Sequence, residues 1–256
     1  MDIKNIDFSY GDRPLIRDLS ATIEKGKITT IIGPNGSGKS TLLNLIIKQL
    51  QAKKGNILID GKDITSCSYK VIAKQMAIVH QHNTAPEDLT VESLIAYGRT
   101  PYQSFWSSKD EDEEAVVAWA LEVTKLKHLA KKPISQLSGG ERQRAWIAMA
   151  LAQKTDILLL DEPTTYLDIY YQLEVLNLVR ELNKNYGITI VMVLHDINQA
   201  MQFSHNVIIM KCGTVVYAGD TVAGITAERL QEVYSIQATI RWCDKNCCPY
   251  IVPIAV

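Results

Sequence analysis

A glycine-rich segment near the N-terminus combines residue types that bind phosphate. Residues 33–41 read Gly-Pro-Asn-Gly-Ser-Gly-Lys-Ser-Thr, which satisfies the pattern of a phosphate-binding loop (P-loop). Glycines let backbone N–H groups turn inward around phosphate oxygens at the start of a helix. The pattern predicts that Lys39 reaches the β and γ phosphates of a nucleotide and that Ser40 binds Mg²⁺. The predicted nucleotide-binding residues of this loop are Gly33, Pro34, Asn35, Gly36, Ser37, Gly38, Lys39, Ser40 and Thr41.

Two adjacent carboxylates follow an apolar run in the second half of the chain. Residues 157–163 read Ile-Leu-Leu-Leu-Asp-Glu-Pro, so Asp161 and Glu162 stand where a buried strand is expected to end. Paired acids at a strand end can also form a plain turn. A P-loop protein needs an aspartate to hold Mg²⁺, and Asp161 fits that role. Glu162 is then expected to polarise the attacking water as general base.

A third segment places two glycines at the start of an expected helix. Residues 137–143 read Leu-Ser-Gly-Gly-Glu-Arg-Gln, and Ser138 and Glu141 have the spacing of a capping box. Capping explains those two side chains but not Gly139 and Gly140, which cost helix stability and let a phosphate approach the backbone closely. We expect this helix end to meet a nucleotide carried by a second subunit.

These segments need strands and helices that hold them in place. Apolar runs predict strands near residues 28–32, 57–59, 77–79, 157–160 and 188–194. An alternating pattern at Ile3, Ile6 and Phe8 predicts an N-terminal strand, a helix is expected over residues 39–50, and a hairpin should turn at Gly213. Strands that alternate with helices are typical of an α/β fold with a mostly parallel sheet.

Residues 90–151 show helical periodicity and no convincing strand, which predicts a helical lobe inserted in the α/β core. Within it, Ser108 and Glu111 have capping-box spacing, so the acidic run at residues 110–114 is interpreted as a helix start. We divide a single 1–256 domain into four expected parts. They are residues 1–88 and 152–220 as the nucleotide-binding core, 89–151 as the helical subdomain and 221–256 as a C-terminal extension.

Composition excludes several other classes of protein. The chain has 27 Lys plus Arg against 28 Asp plus Glu, giving a net charge of -1 without a dense basic stripe, so nucleic acid is not an expected partner. Its longest apolar stretches fall short of the roughly 20 residues that a membrane helix needs, and the N-terminus shows no signal-peptide pattern. Five cysteines are present. Their irregular placement argues against a disulfide framework; reduced thiols are expected at Cys243, Cys247 and Cys248, with a metal site as the alternative.

The chain contains the P-loop, the Leu-Ser-Gly-Gly-Glu segment and the Asp-Glu-Pro strand end in this order. With these segments it resembles the ATP-binding cassette (ABC) ATPases over residues 1 to about 220. The resemblance implies ATP and Mg²⁺ as ligands. It also implies that Tyr10 stacks on adenine, that Gln81 senses Mg²⁺ and couples to a transporter, and that His195 contacts the γ phosphate. An ordinary strand-end aromatic is the alternative for Tyr10. His195 follows a buried strand, so it is expected at the edge of the sheet where ligands bind, which supports its contact with the γ phosphate.

Residues 161–168 read Asp-Glu-Pro-Thr-Thr-Tyr-Leu-Asp, and Asp168 resembles the aspartate with which cassettes contact each other. Many cassettes carry a small residue where this chain has Tyr166. Three segments are similar to those of ferric siderophore importers: residues 161–168, Arg-Gln-Arg-Ala-Trp-Ile-Ala-Met and Ala-Tyr-Gly-Arg-Thr-Pro-Tyr. Haem and cobalamin importers share much of this sequence pattern.

The resemblance implies a head-to-tail homodimer at the cytoplasmic face of the membrane, bound to permease subunits and, indirectly, to a substrate-binding protein. The aromatic segment 97–106 is either a contact for the permease or part of the core of the helical lobe. A soluble cassette ATPase that acts on nucleic acid or translation is the alternative function, but the chain lacks the coiled-coil insertion or second cassette typical of such proteins.

Overall fold

The computed structural model describes residues 1–102, 111–243 and 248–255. They form two compact units. The first unit consists of Met1–Ser68 and Thr189–Val256, and the second unit is Tyr69–Ile188. The four-part division expected from the sequence stays a prediction. No helix in the described part of the chain is long and apolar enough to cross a membrane.

The first unit contains an antiparallel sheet in the order β2-β1-β4-β5. Its strands are β1 (Asp2–Tyr10), β2 (Arg13–Thr22), β4 (Lys54–Ile59) and β5 (Lys62–Asp63). Ile3, Ile6 and Phe8 are buried, which confirms the alternating pattern at the N-terminus. These side chains form the apolar face of the sheet.

The same unit contains parallel strands around β3 (Ile28–Ile32). β3 pairs in parallel with both β8 (Thr189–Val193) and β9 (Asn206–Lys211), and β10 (Thr214–Asp220) is antiparallel to β9. Every residue of β3 and β8 is buried, as expected for continuous apolar runs in a parallel sheet. The expected hairpin at Gly213 is confirmed.

The helix that follows the P-loop is shorter than the sequence pattern predicts. α1 covers Lys39–Ile46, whereas residues 39–50 were expected. Lys48 adopts a left-handed conformation with φ 61, and its Nζ donates 2.8 Å hydrogen bonds to the carbonyls of Thr65 and Cys67. The N–H groups of Lys48 and Gln49 bond back to the carbonyls of Leu45 at 3.1 Å and Asn44 at 2.9 Å, so a left-handed turn closes the helix here.

The remainder of the first unit follows β8 and β10 and includes the C-terminal extension. It comprises α7 (Ile197–Phe203), α8 (Thr221–Gly224), α9 (Ala227–Tyr234) and the hairpin of β11 (Gln237–Cys243) and β12 (Cys248–Ala255). Cys243 and Cys248 are opposite each other in the hairpin. Both are free thiols, and Cys247 lies outside the described residues.

The second unit combines a parallel strand pair with helices. Its elements are α2 (Tyr69–Gln75), β6 (Met76–Val79), α3 (Val91–Tyr97), α4 (Glu111–Val123), α5 (Gly139–Ala152), β7 (Ile157–Asp161) and α6 (Ile169–Tyr186). β6 and β7 are parallel. The fold class is therefore confirmed: parallel core strands, an antiparallel N-terminal sheet and a largely helical segment.

Two expectations for the helical segment fall partly outside the described residues. Ser108 and Trp106 are not described, although α4 does begin at Glu111. Tyr97, at the end of α3, is 60% exposed, so its ring is not part of the core of the lobe.

Candidate nucleotide site

The P-loop lies between the end of β3 and the start of α1 in the first unit. Gly36 and Gly38 adopt left-handed φ values of 78 and 100, which a glycine accepts without strain. Gly38 is the N-cap of α1 and provides no side-chain cap. The N–H groups at a helix start and the helix dipole both favour an anion at this end of α1.

Two further features of the loop fit a phosphate. A side chain at Gly36 would meet nothing within 4 Å, so the loop is open at that point. The Ser37 hydroxyl is buried and has no hydrogen-bond partner among the described residues, and such a group costs free energy unless a ligand satisfies it. The residues present therefore fit a phosphate group.

The lysine of the loop is folded back onto the loop itself. Lys39 is 6% exposed, and its Nζ donates to the carbonyl oxygens of Gly33 at 2.9 Å and Pro34 at 3.0 Å. The backbone N–H of Gly213 in the β9–β10 turn donates to the Ser37 carbonyl at 3.2 Å. The first two bonds hold the ammonium group against the loop backbone, and the third ties the loop to the β9–β10 turn.

The carboxylates Asp161 and Glu162 lie at the end of β7 in the second unit. Asp161 is the last residue of the strand and is 7% exposed. Glu162 follows it with φ 52, a left-handed conformation that few residues other than glycine adopt. Strained backbone of this kind turns the side chain of Glu162 out of the strand direction and is frequent at functional sites.

Glu162 receives two hydrogen bonds within the second unit. Gln81 Nε2 donates to Glu162 Oε2 at 2.5 Å, and Thr165 Oγ1 donates to the same oxygen at 3.1 Å. Because a carboxylate only accepts, Gln81 must present its amide nitrogen here, which leaves its carbonyl oxygen for another partner. The structure therefore brings together two predicted site residues that are far apart in the sequence.

The expected capping box at the start of α5 is confirmed. Ser138 Oγ accepts from the Glu141 N–H at 3.3 Å, and Glu141 Oε2 accepts from the Ser138 N–H at 2.8 Å. The bond from the Ser138 backbone holds the pKa of Glu141 below its ordinary value, while burial acts in the opposite direction. Glu141 is therefore negatively charged at neutral pH and stabilises the helix start.

The two glycines of this segment differ in their surroundings. A Cβ at Gly140, which is buried, would lie 2.2 Å from Cδ1 of Tyr171. Gly139 is exposed, and a Cβ there would lie 3.2 Å from Cδ2 of Leu167. Packing against Tyr171 thus explains Gly140, and of the pair only Gly139 is exposed at the helix start.

Asp168 caps the next helix. Its Oδ1 accepts from the N–H of Tyr171 at 3.1 Å, and Asp168 is the N-cap of α6. Tyr166, two residues earlier, has φ 63 and is 83% exposed, with its ring 6.1 Å from that of His82. A structural role for Asp168 is therefore established besides the contact with a second subunit that the resemblance implies.

Tyr10 and His195 are both accessible in the first unit. Tyr10 is 54% exposed at the end of β1, and the ring of Phe8 contacts it edge-on with centroids 4.8 Å apart. This contact orients the Tyr10 ring and leaves it accessible for stacking. His195 is exposed between β8 and α7, where the following Asp196 caps α7.

Sequence reasoning missed Thr165 and Tyr171. Thr165 lies three residues after Glu162, a spacing at which a hydroxyl often reaches back to a neighbour, so the sequence did contain a weak signal. Tyr171 is on the first turn of α6, and nothing in the sequence links it to Gly140. No group of three or more potential metal ligands from His, Cys, Asp and Glu is found among the described residues.

Comparison with known proteins agrees with this geometry. The ABC transporter family profile matches residues 16–165. The Bacillus subtilis (strain 168) iron(3+)-hydroxamate import ATP-binding protein FhuC is 48% identical over 240 residues, covering 94% of this chain and 89% of that protein. The Escherichia coli (strain K12) ferric enterobactin transport ATP-binding protein FepC is 40% identical over 252 residues, covering 98% and 93%.

A solved structure of an ATP-binding cassette, dimeric in a post-hydrolysis state with ADP and phosphate, superimposes with a TM-score of 0.74. It is 28% identical and covers 86% of this chain and 98% of that one. The chain belongs to the ABC transporter family. It is an ATP-binding subunit that hydrolyses ATP.

Proposed function

We propose that the chain is the ATP-hydrolysing subunit of an importer for iron(III)–siderophore complexes. The observation that supports the ATPase chemistry is the P-loop at the start of α1, whose buried Ser37 hydroxyl has no hydrogen-bond partner in the described part of the chain. The cargo class follows from the relatives, which are named for import of an iron(3+)-hydroxamate and of ferric enterobactin.

In the proposed mechanism, the P-loop and Lys39 bind the phosphates, and the exposed ring of Tyr10 stacks on adenine. Ser40, Asp161 and the carbonyl oxygen of Gln81 are oxygen donors of the kind that hold Mg²⁺. When bound, Mg²⁺ neutralises phosphate charge.

Glu162 orients and deprotonates the attacking water, and its hydrogen bonds from Gln81 and Thr165 keep the carboxylate in one orientation. His195 contacts the γ phosphate. Catalysis is then mainly positioning and charge stabilisation, as in other phosphoryl transfers.

The proposed working form is a head-to-tail homodimer. Each ATP would lie between the P-loop of one copy and Ser138, Gly139, Gly140 and Glu141 of the other, with Asp168 contributing to the contact between copies. The exposed Gly139 at an N-terminal helix end supports this arrangement, because Gly139 has no side chain of its own that would keep a phosphate from the backbone.

Membrane permease subunits would attach the dimer to the cytoplasmic face of the membrane, and a substrate-binding protein would act through the permease. Haem, cobalamin or another metal chelate is the alternative cargo, since the ATPase subunit does not contact cargo in this proposal. Nucleic acid is not a proposed partner, because the net charge is only -1.

The substitution Glu162→Gln tests the ATPase part of the proposal. The variant should bind ATP with unchanged affinity, lose about 10²- to 10⁴-fold in turnover and accumulate as an ATP-bound dimer in gel filtration. Glu181→Gln, a change of an exposed glutamate on α6, is the matched control and should leave all three properties unchanged. Undiminished hydrolysis in Glu162→Gln would remove Glu162 from the central role.

The cargo part needs the complete importer. The chain is co-purified with its permease in mild detergent, reconstituted in liposomes and supplied with a binding protein. Uptake is then compared for a ferric hydroxamate, a ferric catecholate, haem and cobalamin. Exclusive uptake of haem or cobalamin would select the alternative cargo, and failure to retain any permease would favour a soluble ATPase.

A further inference from the structure

Helix α7 lies directly after His195, the residue proposed to contact the γ phosphate. Asp196 is the N-cap of this helix, and its Oδ1 accepts from the N–H of Asn198 at 2.7 Å. On the other side of His195, the N–H of Leu194 donates to the Ile31 carbonyl in β3 at 3.3 Å. His195 therefore lies between a residue bonded to β3 and the capped start of α7, so the placement of α7 affects that of His195.

The strand β12 has one edge that β11 does not cover, because these two strands form a sheet of their own. Alternate residues of an antiparallel strand point their N–H and C=O groups to the same edge. Pro249, Ile251 and Pro253 alternate in this way, and proline has no N–H. Of these three residues, Ile251 alone can therefore donate a backbone hydrogen bond.

Asn198 on α7 binds both backbone groups of Ile251. Its Oδ1 accepts from the Ile251 N–H at 2.6 Å, and its Nδ2 donates to the Ile251 carbonyl oxygen at 3.2 Å. A side-chain amide offers a donor and an acceptor as a peptide group does, so Asn198 takes the place of a neighbouring strand at this edge. The two bonds also fix the orientation of the amide, since exchanging its oxygen and nitrogen would lose both.

A second contact lies about one turn further along α7. Cys248 Sγ in β12 lies 3.6 Å from the Met201 carbonyl oxygen. Met201 and Phe203 on α7 are 4% exposed each, and Ile251 on β12 is 5% exposed, so both elements bury apolar side chains. The C-terminal hairpin of β11 and β12 thus contacts α7 at Asn198 and again at Met201.

We propose that Asn198 is a positioning residue for His195. Its two bonds to Ile251 attach the start of α7 to the C-terminal hairpin, and this attachment fixes the His195 imidazole where it meets the γ phosphate. Because a small displacement of a group at the reacting centre costs a large factor in rate, the attachment acts on turnover and not on nucleotide affinity, which the P-loop supplies. This inference rests on the proposed role of His195 and does not depend on the cargo.

The test compares Asn198→Ala with wild type in the full chain. The turnover number should fall about five- to fiftyfold through loss of two hydrogen bonds, while the dissociation constant for ATP stays within about twofold. Gln202→Ala removes an exposed amide from the same helix, and as the matched control it should change neither quantity. An unchanged turnover number in Asn198→Ala, or a loss of ATP affinity as large as the loss of turnover, would overturn the proposal.

The same substitution in a His195→Ala background distinguishes positioning from general destabilisation. If Asn198 acts through His195, Asn198→Ala should cause no further loss of turnover once the imidazole is absent. A merely structural role predicts the same fold loss in both backgrounds, and that result would contradict the proposal. Melting temperatures show whether each variant is folded under the assay conditions.

Amide hydrogen exchange tests the bond itself and needs no ATPase assay. The Ile251 N–H should exchange about tenfold more slowly in wild type than in Asn198→Ala. Equal rates in the two proteins would mean that Asn198 does not protect this strand edge, and the inference would then fail even if turnover fell. Exchange of the Ile251 N–H in wild type at the rate of an unprotected peptide would have the same meaning, whether or not the variant folds.

His195→Ala separates this inference from the proposed function. If His195→Ala retains full turnover, His195 does not serve the γ phosphate as proposed, and the inference fails with that role. If His195→Ala loses turnover while Asn198→Ala does not, only the positioning role of Asn198 fails.

Discussion

Gln81 donates a 2.5 Å hydrogen bond to Glu162. Gln81 lies two residues after the end of β6, and Glu162 directly follows β7. The two strands are parallel neighbours, so their carboxyl ends lie at one edge. The bond therefore links a proposed sensor of the permease directly to the proposed general base. A displacement of Gln81 would reorient the Glu162 carboxylate.

Gln81→Ala should slow ATP hydrolysis about ten- to hundredfold, the value of a hydrogen bond to a charged group, and leave ATP affinity within about twofold. Steady-state kinetics and equilibrium binding measure the two quantities. Asn83→Ala, which removes an amide that bonds the nearby His80 carbonyl, is the control. An unchanged turnover number in Gln81→Ala would show that Glu162 does not need this bond.

Alanine substitutions of the two glycines at the start of α5 should affect stability and ATPase activity differently. Gly140→Ala forces a Cβ into the ring of Tyr171 and should lower the free energy of unfolding by about 1–3 kcal/mol. Gly139→Ala meets only the flexible end of Leu167 and should change stability by less than about 1 kcal/mol while reducing ATPase activity. Urea unfolding and ATPase assays measure both effects. Full activity in Gly139→Ala would argue against phosphate approach at this helix end.

The capping box predicts a pH dependence of stability. Because the folded-state pKa of Glu141 lies below its ordinary value, its contribution to stability is complete above that ordinary value and is lost as the pH falls through the folded-state pKa. Glu141→Gln keeps an acceptor at this position but cannot titrate. The difference in unfolding free energy between wild type and variant should therefore shrink between about pH 5 and pH 3, as measured by urea titrations. A difference that is constant over this range would contradict the assignment.

Asp168 combines a cap with a proposed contact between subunits, and two substitutions distinguish these roles. Asp168→Ala should cost about 1 kcal/mol of stability through loss of the α6 cap. Asp168→Asn retains a good N-cap and should preserve stability, while removal of the charge weakens ATP-dependent dimerisation. Thermal unfolding and analytical ultracentrifugation report on the two effects. Normal dimerisation of Asp168→Asn would leave Asp168 with the capping role alone.

Sequence periodicity predicted most strands of the fold because their cores are continuous apolar runs. β3, β7 and β8 are buried throughout, so hydrophobicity alone located them. The end of α1 was predicted wrongly, because the backbone turns at Lys48 (φ 61) and the N–H groups of Lys48 and Gln49 bond back to the Leu45 and Asn44 carbonyls. Glycine or asparagine usually occupies the left-handed position of such a helix end, and a lysine there did not indicate it.

In the site, too, contacts within one helix turn were predictable from the sequence, and contacts between helices were not. The capping box of Ser138 and Glu141 was predictable, since both partners lie within one turn of helix. The contact of Gly140 with Tyr171 was not, because it depends on how α5 and α6 pack. Both glycines were expected to let a phosphate approach the backbone, whereas packing against Tyr171 explains why residue 140 is a glycine.

The pairing of β3 with β8 and β9 constrains the order of events during synthesis of the protein. A ribosome that has released only the first 188 residues has produced β3 without either neighbouring strand. Until residues 189–211 follow, both edges of β3 lack these partners, and exposed edges invite association between chains. The loop that begins at Gly33 also waits for the turn at Gly213, whose N–H bonds to Ser37. The nascent chain therefore completes its phosphate-binding loop only after residue 213 has been made, and until then it depends on slow, long-range strand pairing and is exposed to misassembly.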